Sequence, residues 1–372
     1  MEYAIECSRC GREARSLLDF RCQCGSPLRV KPLSGFRRDR IEAGERGLWR
    51  YSSFFPYVNE GEIVTLGEGW TPLVELSDDL FLKLDHLNPT GSFKDRGSAV
   101  LISALRPLLR GSGRYISEDS SGNAGASIAA YAARAGLRAR IYVPEGASGR
   151  KVEQARAYGA EVIRVSGDRE RVAYEAQRPE PGKIYIGHIY HPLFRDGIRS
   201  LAYELAEQFR WELPDAIYLP TSAGTLLLGV LDGLRHLEES GIIDGLPEVV
   251  ACQTEQVSPL YHLLKGLKYV PPSKINSIAD ALIGTSPPLL DLMAEGLRDA
   301  GGDAEIVSEG QIFEAFVELA SKGFFVEPSS AVAYAAYKKR LESGGAPRGE
   351  RTLIVLTGSG LKSELGPARP RG

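Results

Sequence analysis

The chain has 372 residues, 43% of them apolar, enough to bury a large core and to divide into two or three domains. A formal net charge of -3 and a sequence pI near 6.1 exclude a general basic field for wrapping nucleic acid or holding an anionic membrane surface. No apolar run approaches the ~20 residues that cross a bilayer, and Glu2 and Glu6 stand where a leader would be basic and then apolar, so a cytoplasmic globular enzyme is expected.

Four of the five cysteines fall in the first 24 residues, as Cys7-Ser-Arg-Cys10 and Cys22-Gln-Cys24. Two thiolate pairs separated by a hairpin can surround one ion tetrahedrally, and a segment this short cannot fold on its own hydrophobic core. Residues 1–30 therefore read as a zinc ribbon with Cys7, Cys10, Cys22 and Cys24 as ligands. Four sulfurs leave no open position, so the metal is structural. Cys252, alone in an apolar stretch, reads as a packed small hydrophobe.

Residues 26–60 carry Pro27, Pro32 and Pro56 and read as an irregular arm. Beyond them, strand-like runs at 81–84, 115–117, 140–143, 162–165, 184–186, 216–219, 249–252 and 353–356 alternate with helical stretches. Helical periodicity is clearest over 124–135, 197–209, 225–237 and 311–322. This alternation predicts an α/β chain with mostly parallel strands flanked by helices. The tail after Lys362 is expected to be loose.

Three strand-to-helix junctions carry candidate chemistry. In Asn88-Pro89-Thr90-Gly91-Ser92-Phe93-Lys94-Asp95-Arg96-Gly97, Lys94 sits at a helix start, where dipole and desolvation favour the neutral, nucleophilic amine. Ser120-Ser121-Gly122-Asn123-Ala124 opens another helix and can cradle a carboxylate on hydroxyls and amides; a plain capping turn uses the same residue types. Thr221-Ser222-Ala223-Gly224-Thr225 opens a third, with small residues that let the backbone approach a phosphate, assisted by the hydroxyls of Thr221, Ser222 and Thr225.

The lysine segment resembles the lysine loop of the tryptophan synthase β family of pyridoxal phosphate enzymes, also called fold type II. Gly67-Glu68-Gly69-Trp70-Thr71-Pro72-Leu73 is similar to that family's entry motif, the Ser120 segment to its substrate-carboxylate loop, and Thr357-Gly358-Ser359-Gly360-Leu361-Lys362 to its closing motif. The resemblance implies two open twisted, mostly parallel sheets, with residues 31–95 and 206–372 forming a large cofactor domain and 96–205 a small α/β domain. It implies pyridoxal 5'-phosphate on Lys94 through a Schiff base, with cofactor contacts from Phe93, Asn123, Thr221, Ser222, Ala223, Gly224, Thr225 and Thr357. Substrate contacts are implied for Ser120, Ser121, Gly122, Asn123 and Ala124. A neutral Thr357 hydroxyl at the pyridine nitrogen makes a weaker electron sink than an aspartate and suits elimination and replacement.

Within that family the chain is most similar to the threonine synthase group, by its closing motif, its Ser-Ser-Gly-Asn loop and the run Glu327-Pro328-Ser329-Ser330-Ala331. The group's archaeal members also carry an N-terminal ribbon. The implied reaction takes a small phosphorylated amino acid, O-phospho-L-homoserine, and water to L-threonine and phosphate, in a homodimer. The group's phosphate-gripping pattern is altered here: His188-Ile189-Tyr190-His191-Pro192-Leu193-Phe194-Arg195 puts Phe194 at the arginine position, leaving Lys151, Arg195 and Arg199 to restore the grip. Alternatives are β-replacement on O-phosphoserine, as in cysteine or cysteate synthases, a serine or threonine deaminase, and a catalytically silent sensor. The chain stops about ten residues past the closing motif, where deaminases add a regulatory domain.

Overall fold

The computed structural model describes residues 2–345 and 350–363; the expected loose tail lies almost entirely outside them. Twelve strands occur among the described residues: β1 (Tyr3–Cys7), β2 (Leu28–Pro32), β3 (Leu73–Ser77), β4 (Leu80–Lys83), β5 (Tyr115–Glu118), β6 (Arg138–Pro144), β7 (Glu161–Val165), β8 (Lys183–Tyr185), β9 (Ala216–Pro220), β10 (Glu248–Thr254), β11 (Asp303–Val307) and β12 (Thr352–Val355). The α-helices are α1 (Lys94–Leu109), α2 (Asn123–Arg134), α3 (Arg150–Ala157), α4 (Arg169–Gln177), α5 (Pro192–Ile198), α6 (Ser200–Gln208), α7 (Thr225–Glu239), α8 (Pro259–Leu264), α9 (Leu290–Asp299), α10 (Glu309–Ser321) and α11 (Pro328–Glu342). All eight expected strands form, and among the described residues no helix is long and apolar enough to cross a membrane.

The expected single helix over 197–209 is two. The backbone tightens at Arg199, whose N–H is shared between the carbonyls of Arg195 and Asp196, and α6 starts afresh at Ser200. Strands β3 and β11 and helices α3, α4, α8, α9 and α11 have no counterpart among the expected elements. Their sequences are short or heavily charged, and α11 is buried along most of its first turns, so no polar stripe marks its period.

The chain divides into two compact units. One comprises residues up to Trp70 together with Asn88–Ser200, the other Thr71–Leu87 together with the chain from Leu201 onward. These boundaries differ from the expected ones: residues 31–70 and 88–95 pack with the small α/β body. The ribbon also joins that body, because Phe20 meets the Tyr185 ring edge-on at 4.8 Å and the Arg21 guanidinium lies 4.0 Å from the Tyr190 ring centre.

In the first unit β7-β6-β5-β8 form an all-parallel sheet, while β1 and β2 make an antiparallel ribbon from Tyr3↔Pro32 to Cys7↔Leu28. In the second, β11-β10-β9-β12-β4-β3 form a sheet that is parallel except for the β3–β4 pair. Its core packs Leu82, Tyr218, Val250 and Ile354 against α10 and α11 through Ile312, Ala331 and Ala335. A buried ion pair, Lys83 with Glu204, ties β4 to α6, and the Lys83 ammonium also donates to Thr71 O and Gln208 Oε1, both at 2.7 Å. Open parallel sheets present ligand loops at the carboxyl ends of their strands, and the loops after β5, β9 and β12 stand there.

Candidate active site

In the first unit, Lys94 opens α1 after a loop held by Asp95. The Asp95 carboxylate accepts from Thr90 N at 2.7 Å, Thr90 Oγ1 at 2.6 Å and Ser127 Oγ at 2.5 Å, so a local sequence signal is fixed by contact with α2. Helices α1 and α5 approach at Gly97 and Gly197. A Cβ on Gly97 would lie 2.7 Å from the Phe194 ring, which is why a side chain is absent there. The approach sets the Lys94 amine 5.8 Å from the centre of the Phe194 ring and 4.6 Å from that of Phe93.

Burial lowers the Lys94 pKa to about 8, partly opposed by the Glu118 carboxylate. Glu118 ends β5 with no exposure, and desolvation raises its carboxyl to about 7 against the His188 amide, Arg169 and Lys94, which favour the charged form. Both oxygens engage His188: Oε2 accepts the backbone N–H at 2.9 Å and Oε1 meets Nδ1 at 2.6 Å. Burial and the nearby Lys94 charge hold the His188 imidazole well below its usual range. Glu118 carried no sequence signal, since a carboxylate at a strand end ordinarily faces water.

The Ser120 loop follows. Ser120 Oγ accepts from Gly122 N at 3.2 Å, and Gly122, the residue before α2, makes no side-chain cap. The capping alternative is therefore not realised, and Ser120, Ser121, Gly122 and Asn123 remain half-buried beside an uncapped helix start, with Ala124 buried behind them.

Arg195 and Arg199 are placed otherwise than a phosphate grip requires. The Arg195 guanidinium donates to the carbonyls of Leu28, Ile189 at 3.1 Å and Tyr190 at 3.4 Å, tethering β2 to the start of α5. That of Arg199 pairs with Asp196 at 3.0 Å and donates to Phe54 O at 2.9 Å. Lys151 is buried in the first turn of α3. His191, between the two arginines' partners, is pushed by burial to about 3 and stays neutral.

In the second unit, Gly224 precedes α7 with φ +91°, and no side chain caps the helix. A Cβ there would approach the Met293 sulfur to 2.5 Å, so any other residue would meet both strain and collision. Thr221 departs from its expected role. Its N–H donates to Cys252 O at 2.8 Å and its hydroxyl to Leu219 O at 3.0 Å, so neither donor points outward. Ser222 and Ala223 are half-buried, and Thr225 is buried in the first turn. Cys252 is fully buried, with burial pushing its thiol well up, as a packed hydrophobe should be.

Ser330 is the residue that sequence reasoning passed over at this site. Its Oγ accepts N–H bonds from Thr357 at 3.1 Å and Gly358 at 2.8 Å, and lies 2.9 Å from Thr357 Oγ1. With both lone pairs filled, Ser330 must donate; the shorter of its two options is Thr357 Oγ1, the other being Gly358 O at 3.2 Å. Thr357 then turns its own proton away from Ser330.

The four ribbon sulfurs lie within 4.8 Å of one another, with Cys7–Cys24 at 3.5 Å and Cys10–Cys22 at 3.7 Å. A tetrahedron with zinc–sulfur bonds of ~2.3 Å has edges of about 3.8 Å, so the set is close enough to bind a metal.

Comparison with known proteins places nearly the whole chain in one family. Residues 64–358 match the family described as "Pyridoxal-phosphate dependent enzyme". The threonine synthase of Methanocaldococcus jannaschii is 32% identical, over 96% of this chain and 92% of that protein. The threonine synthase of Methanosarcina acetivorans is 30% identical, over 97% and 92%. Among solved structures, maize serine racemase superposes with a TM-score of 0.67 at 25% identity, covering 79% of this chain and 89% of that one. The chain therefore belongs to the fold type II family of pyridoxal-phosphate-dependent enzymes, as a lyase related to the threonine synthases.

Proposed function

We propose that the chain eliminates an oxygen leaving group from an amino acid and adds water, converting O-phospho-L-homoserine to L-threonine and phosphate. The observation that carries this reading is a desolvated amine at Lys94 that faces Glu118, two residues before the Ser120–Asn123 loop, in a chain with threonine synthases as relatives along nearly its whole length.

The residues fit pyridoxal 5'-phosphate. Lys94 is an amine with an unusually low affinity for its proton, the uncapped α7 start after Gly224 suits a phosphate, and Thr357 presents a proton to a neutral ring nitrogen. When bound, that group supplies an electron sink for the bond broken at Cα. Lys94 anchors it and then moves the α proton. Ser222, Ala223, Gly224 and Thr225 hold its phosphate, Asn123 its phenolic oxygen and Thr357 its ring nitrogen. Amides and hydroxyls of residues 120–124 orient the substrate carboxylate. Zinc on Cys7, Cys10, Cys22 and Cys24 locks the ribbon, and the active form is a cytoplasmic homodimer.

One observation favours a second reading, elimination of a hydroxyl group as in serine or threonine deaminases. The guanidiniums of Arg195 and Arg199 are engaged by carbonyls and Asp196, so neither is placed to neutralise a departing phosphate. Incubating the purified holoprotein with O-phospho-L-homoserine, O-phospho-L-serine, L-serine and L-threonine decides between them. Phosphate with threonine supports the first reading, and ammonia with an oxo acid supports the second. No product from any of the four refutes both.

A further inference from the structure

The unusual feature beside Lys94 is a carboxyl group buried without a cation of its own and closed onto a histidine. We propose that Glu118 and His188 act as one acid–base pair that delivers the proton to the oxygen leaving the amino-acid substrate. The proposal rests on the reading of Lys94 as the base at the α carbon.

The geometry gives the pair a direction. Glu118 Oε1 lies 2.6 Å from Nδ1 while Oε2 accepts the His188 amide, so the carboxyl is held in line to exchange a proton with that nitrogen. Nε2 makes no hydrogen bond to any described residue. Lys94 and His188 flank the same ring: Phe194 lies 5.8 Å from the amine and 5.7 Å, edge-on, from the imidazole.

The charged and titratable groups facing the pair are Lys94 and Arg169 at the starts of α1 and α4, Asp119 just after β5, and the neutral Tyr185 of β8. Arg169 pairs with Asp119 at 2.7 Å, and Tyr185 donates to the other Asp119 oxygen at 2.7 Å; Lys94 and Arg169 both favour the charged carboxylate of Glu118 and the neutral imidazole of His188. With the carboxyl raised and the imidazole lowered, the shared proton resides on Glu118, facing an unprotonated Nδ1, and Nε2 carries the outward N–H.

The step balances without another reagent. For a leaving group on the β carbon, Lys94 takes the α proton and the Cα–H electron pair becomes the Cα–Cβ double bond; for the γ-phosphate of O-phospho-L-homoserine a β proton follows the α proton onto Lys94, and the Cβ–H pair becomes the Cβ–Cγ double bond. The carbon–oxygen pair leaves on oxygen, which takes the Nε2 proton while Nδ1 takes the proton of Glu118. The pair ends as a carboxylate facing an Nδ1–H, and is reset when Nε2 takes up one proton from solvent and Nδ1 returns its own to Glu118. A hydroxyl cannot depart without such a proton and a phosphate can, so the pair matters most for substrates with poor leaving groups.

The test separates the two half-reactions in the holoenzyme. L-Alanine in deuterated water exchanges its α proton through Lys94 and has nothing to expel; turnover of L-serine or O-phospho-L-homoserine needs both steps. Glu118→Gln and His188→Asn should exchange alanine within a few-fold of the parent yet lose about 10²-fold in turnover, more for the hydroxyl substrate than for the phosphate ester. The parent's turnover should fall as pH rises through about 7, and this limb should vanish in Glu118→Gln. Equal losses of exchange and turnover, or unchanged turnover, would overturn the proposal.

A second readout needs neither cofactor nor a foldable variant. Nitrogen-15 spectra of the five histidines, with His188 assigned, should show Nδ1 as an acceptor at neutral pH and sense one titration near pH 7. A protonated Nδ1 in that range, or an isolated imidazole titration, counts against the pair. If the parent binds no cofactor at all, it is the Lys94 reading that fails, and the spectra still judge the pair.

Discussion

Replacing Ser330 with alanine removes one oxygen that organises the end of β12. In the parent that oxygen satisfies the Thr357 and Gly358 amides, both on buried residues. Alanine leaves the two N–H groups without a partner, at about 1–3 kcal/mol each, and about 3 kcal/mol together is a conservative figure. At ~2–4 °C per kcal/mol for a body of ~150–250 residues, the melting temperature should fall by about 6–12 °C. Freed from Ser330, the Thr357 hydroxyl can rotate, so the visible band of the pyridoxal-loaded protein should change shape. Ser329→Ala is the control. Its hydroxyl accepts Ala281 N at 3.0 Å and does not touch Thr357, so some stability should be lost with the band intact. Calorimetry and absorbance together decide: a Ser330→Ala melt within about 2 °C of the parent, with an unaltered band, would refute the reasoning.

The depressed Lys94 pKa sets the pH dependence of cofactor uptake. The reacting amine must be neutral, and the neutral fraction rises as pH climbs through about 8, so uptake by the cofactor-free protein should quicken between pH 7 and 8 and level off by pH 9. An unshifted lysine would instead keep gaining about tenfold per pH unit through that range, which stopped-flow absorbance would reveal. Lys83→Met strands the Glu204 carboxylate in a fully buried position, and denaturant unfolding should register a loss of about 3–5 kcal/mol; Lys83→Met with Glu204→Leu should recover much of it. Elemental analysis should find one zinc per chain, released by a strong chelator and missing from Cys10→Ser; a full-strength melt without metal would count against a structural role.

The local chemistry of the chain was written in its sequence. The α/β alternation, the eight strands found, the four ribbon cysteines and the three small-residue segments at helix starts are features of neighbouring residues, and near-neighbour sterics and capping act at that range. Lys94 was legible for the same reason, because its loop is a continuous string. What the residues do to one another across the fold was not legible. Thr221 looked like a phosphate ligand until its hydroxyl turned back to Leu219, and Arg195 like an anion grip until its guanidinium closed on the carbonyl of Leu28, 167 positions away. Glu118 is separated from His188 by 70 positions and Ser330 from Thr357 by 27, and only burial makes these polar groups seek each other. A hydrogen-bonding group removed from water must take whatever partner the packing brings within about 3 Å, and that choice belongs to tertiary structure alone.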